Sequence, residues 1–207
     1  GYRRECELRE TGVKTRREVL DFWFGPPGSA ERGQARKIWF ARQNEETSNF
    51  DGEIRSQFSA TVAAAAAGEL DHWRHSLDGI LALCILLDQF PRNIYRGTAQ
   101  AFATDGKILG IVKQAVAAGW HREMPTIPGK FLVMPYEHSE DMADQDRGVE
   151  LFAAYRGDEN GDKSYEAMVK HRQLLIDFGR FPHRNAALGR VNSPAEEIYL
   201  QDPEAGF

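Results

Sequence analysis

Cysteine is scarce in this sequence: Cys6 and Cys84 are the only two among 207 residues. So few cysteines exclude a disulfide framework and favour a reducing compartment, which predicts a cytoplasmic protein. Long apolar runs are missing as well, since none approaches the roughly 20 residues of a membrane span. Residues 1–10, GYRRECELRE, lack the apolar core of a signal peptide. We therefore expect no membrane partner.

Positive charge is not in excess either. The 26 Lys and Arg residues face 31 Asp and Glu residues, for a net charge of −5, which argues against nucleic acid as a partner. The motifs HExxH, Cys-x-x-Cys, Walker A and Gly-x-Gly-x-x-Gly are absent too. The sequence therefore predicts neither a metal site nor a bound cofactor.

Two weaker motifs do not change this expectation. One Glu-x-x-His pair, Glu69 and His72, occurs where a dimetal helical bundle needs two such pairs and two further carboxylates, so we interpret it as a solvated turn. Ser139 lies between His138 and Glu140, but adjacent residues of a helix diverge by about 100°. These three residues therefore cannot act together as a nucleophilic triad.

Apolar residues, in contrast, recur at helical spacing along most of the chain. The segment 78–90 is apolar on every side and predicts a central buried helix, with a parallel strand as the competing interpretation. Helices are expected within residues 15–24, 30–48, 50–67, 78–90, 104–118, 129–155, 164–178 and 193–200. Seven or eight helices without a strand predict an all-α domain over residues 15–207. Residues 1–14 are expected to be flexible or an artificial addition.

Capping residues and proline set the expected helix ends. Asp78 and Ser164 are candidate N-caps, and residues 193–196, SPAE, form a capping box with proline at the first helical position. Pro135 is expected to break one helix before another begins near Glu137, because proline disrupts the interior of a helix. On the second of these helices His138 would face inward.

Two similar polar segments, residues 86–98 (LLDQFPRNIYRGT) and 177–190 (DFGRFPHRNAALGR), each contain Phe-Pro. Each Phe-Pro pair is expected to end a helix and to present Arg and Asn from irregular backbone. Asp88 lies near the end of the buried helix, where the helix dipole and desolvation both disfavour its charge, so it needs a cationic partner. Arg92 and Arg96 are the candidates nearby, and Arg180, Arg184 and Arg190 are the alternatives if the two segments meet.

We expect these segments and PYEHSED at 135–141 to form one polar site. The candidate ligand-binding residues are Asp88, Arg92, Asn93, Arg96, Arg180, His183, Arg184 and Asn185. The candidate acid–base residues are His138, Glu140 and Asp141. Guanidinium groups suit carboxylate and phosphate, so the predicted partner is an anionic small molecule or a carboxylate-bearing peptide.

Two alternatives remain open from the sequence. The protein could be an interaction module that binds a partner chain, in which case an open groove lined by exposed aromatic residues is expected. The polar residues could also only pin helix ends, in which case their ion pairs should be complete with no cavity among them. A small closed pocket would favour ligand binding.

The motifs LLDQFPRNIYRGTAQAFATD, PYEHSEDMADQ and FGRFPHRNAALGR resemble those of a bacterial uncharacterised family, domain of unknown function 924. The resemblance runs from VLDFWFG at 19–25 to SPAEEIYL near the end of the chain. It implies a tetratricopeptide-like antiparallel helical array with a concave face. The family's hallmark positions fall on Asp88, Gln89, Arg92, Asn93, Tyr95, Arg96, His138, Ser139, Glu140, Gln145, Gly179, Arg180, His183, Arg184 and Asn185. The family has no established activity, so the resemblance implies a fold rather than a function.

Overall fold

The computed structural model describes residues 11–206, in which every regular element is a helix. The helices are α1 (Arg16–Phe24), α2 (Glu45–Ala66), α3 (Leu77–Cys84), α4 (Phe90–Ile94), α5 (Asp105–Ala117), α6 (Thr126–Glu137), α7 (Met142–Ala153), α8 (Glu159–Phe178), α9 (Asn185–Leu188) and α10 (Pro194–Leu200). A π-helical turn, Ile85–Gln89, joins α3 to α4 in one continuous rod, so the described part contains nine separate helices and no strand. The predicted all-α class is confirmed, with a helix count close to the expected one. None of these helices has the length and apolarity to cross a membrane.

The rod of α3 and α4 lies at the centre of the fold. Ile85, Leu86 and Leu87 are fully buried, because α1, α5 and α6 all pack against the rod. An all-round apolar sequence therefore forms the buried central helix that it predicts, and Cys84 is one of its buried residues.

The first Phe-Pro pair does not end this helix, contrary to expectation. Proline removes the backbone N–H that would normally bond to the carbonyl of residue i−4. For Pro91 that carbonyl belongs to Leu87, and it accepts a hydrogen bond from the Thr104 hydroxyl at 2.6 Å instead. The π turn widens the backbone just before the proline. The helix consequently continues to Ile94. At the second pair the prediction holds in part, since α8 ends at Phe178 and Phe181 is extended.

Other expected helix ends are wrong. Pro135 lies inside α6, which continues to Glu137. His138 is the C-cap residue that follows α6 and does not belong to the next helix. Helix α7 begins only after Asp141, whose side chain caps it. His138 therefore does not share a helical stripe with the residues of α7.

Two predicted N-caps are also wrong. Ser76, not Asp78, caps α3, and Asp158, not Ser164, caps α8 six residues earlier than expected. In both cases an equally good capping residue stands just upstream, which a local pattern cannot rank. The SPAE capping box at Ser193 is confirmed. Within 30–48 only a 3₁₀ turn, Lys37–Phe40, precedes the start of α2.

Residues 1–10, which include Cys6, and Phe207 lie outside the described residues. Within the segment expected to be flexible, Val13 is buried in the core. The backbone N–H of Lys14 donates to the Thr61 hydroxyl at 2.8 Å. Residues 13 and 14 are thus attached to α2.

Candidate functional site

A cavity of about 710 Å³ lies between the 3₁₀ turn Lys37–Phe40, helices α4, α6 and α8, and the segment around His183. This volume is within the range typical of small-molecule sites. Aromatic side chains form part of its wall, including Trp39, Phe40, Phe50 and Phe102. Seven lysine and arginine residues also line it: Arg36, Lys37, Arg92, Arg96, Lys130, Lys163 and Arg184. Three histidines complete the polar lining: His138, His171 and His183. The cavity is therefore rich in cationic and aromatic groups.

The two Phe-Pro segments meet at this cavity through Asp105. Arg92 binds the Asp105 carboxylate with both terminal nitrogens, each at 2.9 Å, and Nη1 of Arg184 approaches the same carboxylate at 3.4 Å. Asp105 was not among the predicted site residues. The signal that could have identified it is its position after Thr104, at the end of the motif LLDQFPRNIYRGTAQAFATD.

Asp88 is almost completely buried and has the cationic partner that its position requires. Nη1 of Arg92 lies 3.4 Å from Oδ1 of Asp88, and Nδ1 of His138 lies 2.7 Å from the same oxygen. Gln89 donates to the other carboxylate oxygen at 2.6 Å. Burial alone would raise the pKa of Asp88, but His138 and Arg92 together hold it well below its usual range. Asp88 is therefore a carboxylate that orients His138.

The His138 imidazole is neutral near pH 7 for a related reason. Burial and the neighbouring Arg92 lower its pKa, and Asp88 only partly opposes them. Because a carboxylate can only accept, Nδ1 of His138 donates to Asp88 and Nε2 carries the lone pair. His183, also on the cavity wall, has a pKa lowered to about 3 by burial and by Arg184.

Arg184 is a buried guanidinium whose charge is incompletely compensated. It is 6% exposed and lies between the rings of Phe102 and Phe181, at 4.5 and 4.8 Å from their centroids. Its Nε finds no hydrogen-bond acceptor. Burial and the neighbouring Arg92 lower its pKa to about 10, against the attraction of Asp105. An anion in the cavity would supply the missing partner.

Lys130, on α6, is a second buried cation of this kind. It is 6% exposed, and its Nζ lies 5.1 to 5.5 Å from the ring centroids of Trp39, Phe40 and Phe131. Among residues 11–206 its ammonium group has these cation–π contacts but no hydrogen bond or ion pair. Burial lowers the pKa of Lys130, and Glu137 offsets this only in part. No sequence pattern pointed to this residue.

Glu137 and His171 also lie on the wall and were not among the predicted site residues. Oε1 of Glu137 is 3.1 Å from Nδ1 of His171, but it accepts no hydrogen bond. Glu137, His138 and His171 each offer one potential metal-ligand atom, and these atoms all lie within 4.8 Å of one another. Glu137 belongs to the motif PYEHSED, and His171 is on the buried face of α8. Only the fold brings the two together.

Five predicted site residues lie outside the cavity lining. Asp88 is one of them, and it is buried against His138 as described above. Arg180 binds Glu196 through two nitrogens at 2.7 and 2.8 Å. Asn185 bonds to Asn192 and accepts from Arg190. Glu140 accepts from Arg190 and from the backbone of Phe181, and Asp141 caps α7. Neither Glu140 nor Asp141 therefore lies against His138 as an acid–base partner, and Asp88 occupies that place.

Asn93 and Arg96 line the cavity but are committed to Asp51. Arg96 binds the Asp51 carboxylate at 2.7 and 2.9 Å, and Asn93 donates to it at 2.8 Å. This cluster links the segment after the first Phe-Pro pair to α2. Its polar groups have partners, so it contributes positive potential rather than an unpaired cation.

Comparisons with known proteins support the fold. A family model described as "Bacterial protein of unknown function (DUF924)" matches residues 19–204. The structure of a protein of unknown function from Agrobacterium tumefaciens is similar to this chain with a TM-score of 0.77 and 33% sequence identity, over 90% of this chain and 97% of that chain. No curated protein matches. The fold therefore has a solved relative, whereas the comparisons name no activity.

Proposed function

The chain belongs to the DUF924 family of bacterial proteins of unknown function, and we propose that its cavity binds a small anionic molecule. The observation that carries the proposal is the buried Arg184 guanidinium on the cavity wall, whose Nε has no acceptor. A buried charge without a full set of partners is costly. A carboxylate or phosphate oxygen entering the cavity would reduce that cost.

Lys130 supports the same proposal from another part of the wall. Its ammonium group is surrounded by aromatic rings that attract a cation but do not neutralise it. Two under-compensated cations in one cavity favour an elongated anion with charge at two points, such as a dicarboxylate or a phosphorylated carboxylic acid. The aromatic wall would pack against its apolar part.

An interaction module that binds a partner chain is less well supported. Such a module would present an open groove with exposed aromatic side chains. Here Trp39 and Phe50, on the wall, are buried and Phe40 alone of these three rings is exposed. The cavity volume also suits a small molecule rather than a polypeptide segment.

Thermal unfolding with added anions tests the proposal. Succinate, citrate, inorganic phosphate and pyrophosphate would each be titrated against sodium chloride at matched ionic strength. An anion at 100 times its Kd should raise stability by about 2.7 kcal/mol, or roughly 5–10 °C in Tm for a domain of this size. Replacing the guanidinium, Arg184→Met, should abolish the anion-specific shift.

Arg180→Met is the matched control, because Arg180 lies in the same segment but outside the cavity lining. It should keep the anion-specific shift of the wild type whatever its own Tm. The proposal is wrong if none of the four anions exceeds the chloride control, or if Arg184→Met responds like the wild type.

A further inference from the structure

We propose that Glu137, His138 and His171 bind a divalent transition-metal ion, of which zinc is the representative, at the wall of the cavity. Their ligand atoms already lie within 4.8 Å of one another, a separation that small side-chain movements would close onto one ion. Two imidazole nitrogens and one carboxylate oxygen are a common three-residue donor set for zinc and similar ions.

Both histidines are held in the way that metal-binding histidines usually are. Nδ1 of His138 lies 2.7 Å from Oδ1 of Asp88, and Nδ1 of His171 lies 2.9 Å from the backbone carbonyl of Ala167. Carboxylates and carbonyls only accept hydrogen bonds, so each Nδ1 carries the proton and Nε2 is the nitrogen that can ligate. An oxygen acceptor behind each ring fixes its tautomer and orientation. Asp88 would therefore be a positioning residue for the site.

Glu137 provides an independent observation that points to a cation. Its side chain is 4% exposed, it is the last residue of α6, and its Oε1 accepts no hydrogen bond. Burial and the negative end of the helix dipole both disfavour a carboxylate at this point. A bound metal ion would offset both effects.

Gln145 holds the backbone that carries two of the three ligands. Its fully buried side chain donates from Nε2 to the carbonyls of Glu137 and Ser139, at 2.8 and 2.7 Å. These bonds fix the end of α6 on either side of His138. The ligands thus project from a rigid turn on one side and from α8 on the other.

Three protein ligands leave at least one coordination position for water or for a molecule in the cavity. All three residues line that cavity, so the open position is accessible to a ligand there. Metal binding itself requires no anion, and this inference therefore stands apart from the proposed anion-binding function.

Zinc titration of untagged, chelator-treated protein by calorimetry tests the inference. The wild type should bind one Zn²⁺ per chain. Glu137→Gln and His171→Gln should each weaken that binding at least 100-fold, and Asp88→Asn by about 10- to 100-fold through loss of its support for His138. The titration contains no anion beyond chloride, so its result does not depend on the anion screen.

His72→Gln is the control for an adventitious surface site, since His72 is exposed and belongs to the only Glu-x-x-His pair. It should bind zinc like the wild type. If the ligand variants do not fold, the Co²⁺ absorption spectrum of the wild type replaces them, with intense visible bands expected from a low-coordinate nitrogen and oxygen site. Absent stoichiometric binding, binding unchanged in both ligand variants, loss in His72→Gln, or a Co²⁺ spectrum like that of the aqueous ion would each overturn the inference.

Discussion

Arg190 and Arg184 belong to one segment of the sequence but stand in opposite electrostatic situations. Arg190 donates to both oxygens of Glu140 and also to the carbonyl of Phe181. Arg184, six residues earlier, has an Nε with no acceptor and only a long contact to Asp105. The charge of Arg190 is thus fully paired, whereas the charge of Arg184, which lines the cavity, is only partly compensated.

This difference separates structural charges from charges available to a ligand. A complete ion pair holds two elements together, and breaking it leaves a buried group without a partner. An incomplete one costs folding energy, which a ligand can recover. The paired set comprises Arg180 with Glu196, Arg190 with Glu140, and Arg96 with Asp51. The incompletely compensated set comprises Lys130, Glu137 and Arg184, of which Glu137 lies 3.1 Å from His171 and Arg184 3.4 Å from Asp105.

The largest effect is expected from breaking a complete pair. Glu140→Ala removes the acceptor for Arg190 and for the Phe181 backbone N–H, so the free energy of unfolding should fall by about 2–3 kcal/mol. Urea unfolding of the variant and the wild type measures this change. A loss below about 0.5 kcal/mol, the size of an ordinary surface substitution, would show that the Glu140–Arg190 pair does not stabilise the fold. The distinction between structural and ligand-available charges would then fail for this pair.

A smaller effect of opposite sign is expected at Lys130. Lys130→Met keeps the side-chain length but removes a buried charge that lacks a carboxylate partner, and it should raise stability by about 1 kcal/mol after loss of the cation–π contacts. Lys163→Met is the matched control, because Lys163 also lines the cavity but is largely exposed. It should leave the urea midpoint unchanged. A destabilised Lys130→Met would mean that the aromatic rings fully compensate the ammonium charge.

The smallest expected effect is the pH dependence of the stability that Lys130→Met gains over the wild type. Burial lowers the pKa of Lys130 in the folded protein, whereas the unfolded chain has the ordinary lysine value of about 10.4. Between the two values the unfolded state binds more protons, so wild-type stability rises with pH in that interval. The advantage of Lys130→Met should therefore be complete below the lowered pKa and should vanish as pH approaches about 10.4. An advantage that stays constant from pH 7 to 10 would assign the gain to packing rather than to charge.

Local pattern was sufficient for most of the helices. Val19, Leu20, Trp23 and Phe24 form the buried face of α1 as their spacing predicts. The failure at the first Phe-Pro pair came where a distant group replaced a missing local bond. The Thr104 hydroxyl, 17 residues from Leu87, donates to the Leu87 carbonyl the hydrogen bond that Pro91, which has no backbone N–H, cannot donate. No local rule could predict this bond. The tetratricopeptide-like arrangement implied by the family resemblance stays a prediction.

The candidate site was partly predictable for the same reason. A buried Asp88 demanded a cation, and Arg92 lies one helical turn away, where the sequence placed it. The sequence could not decide between Arg180 and Arg184 as cavity residues, because both flank the second Phe-Pro pair. Their roles diverge only because Glu196 comes close to one and Asp105 lies near the other.

The sequence by itself determined the all-α fold and the buried central helix, since each depends on spacing within about 20 residues. It also located the charged residues of the two Phe-Pro segments. Only the tertiary structure decided which of those charges are paired. Arg184 and Asp105 are 79 residues apart, and Glu137 and His171 come from different helices. The energy of a buried charge depends on the partners and solvent within a few ångströms, and those are set by packing rather than by sequence order.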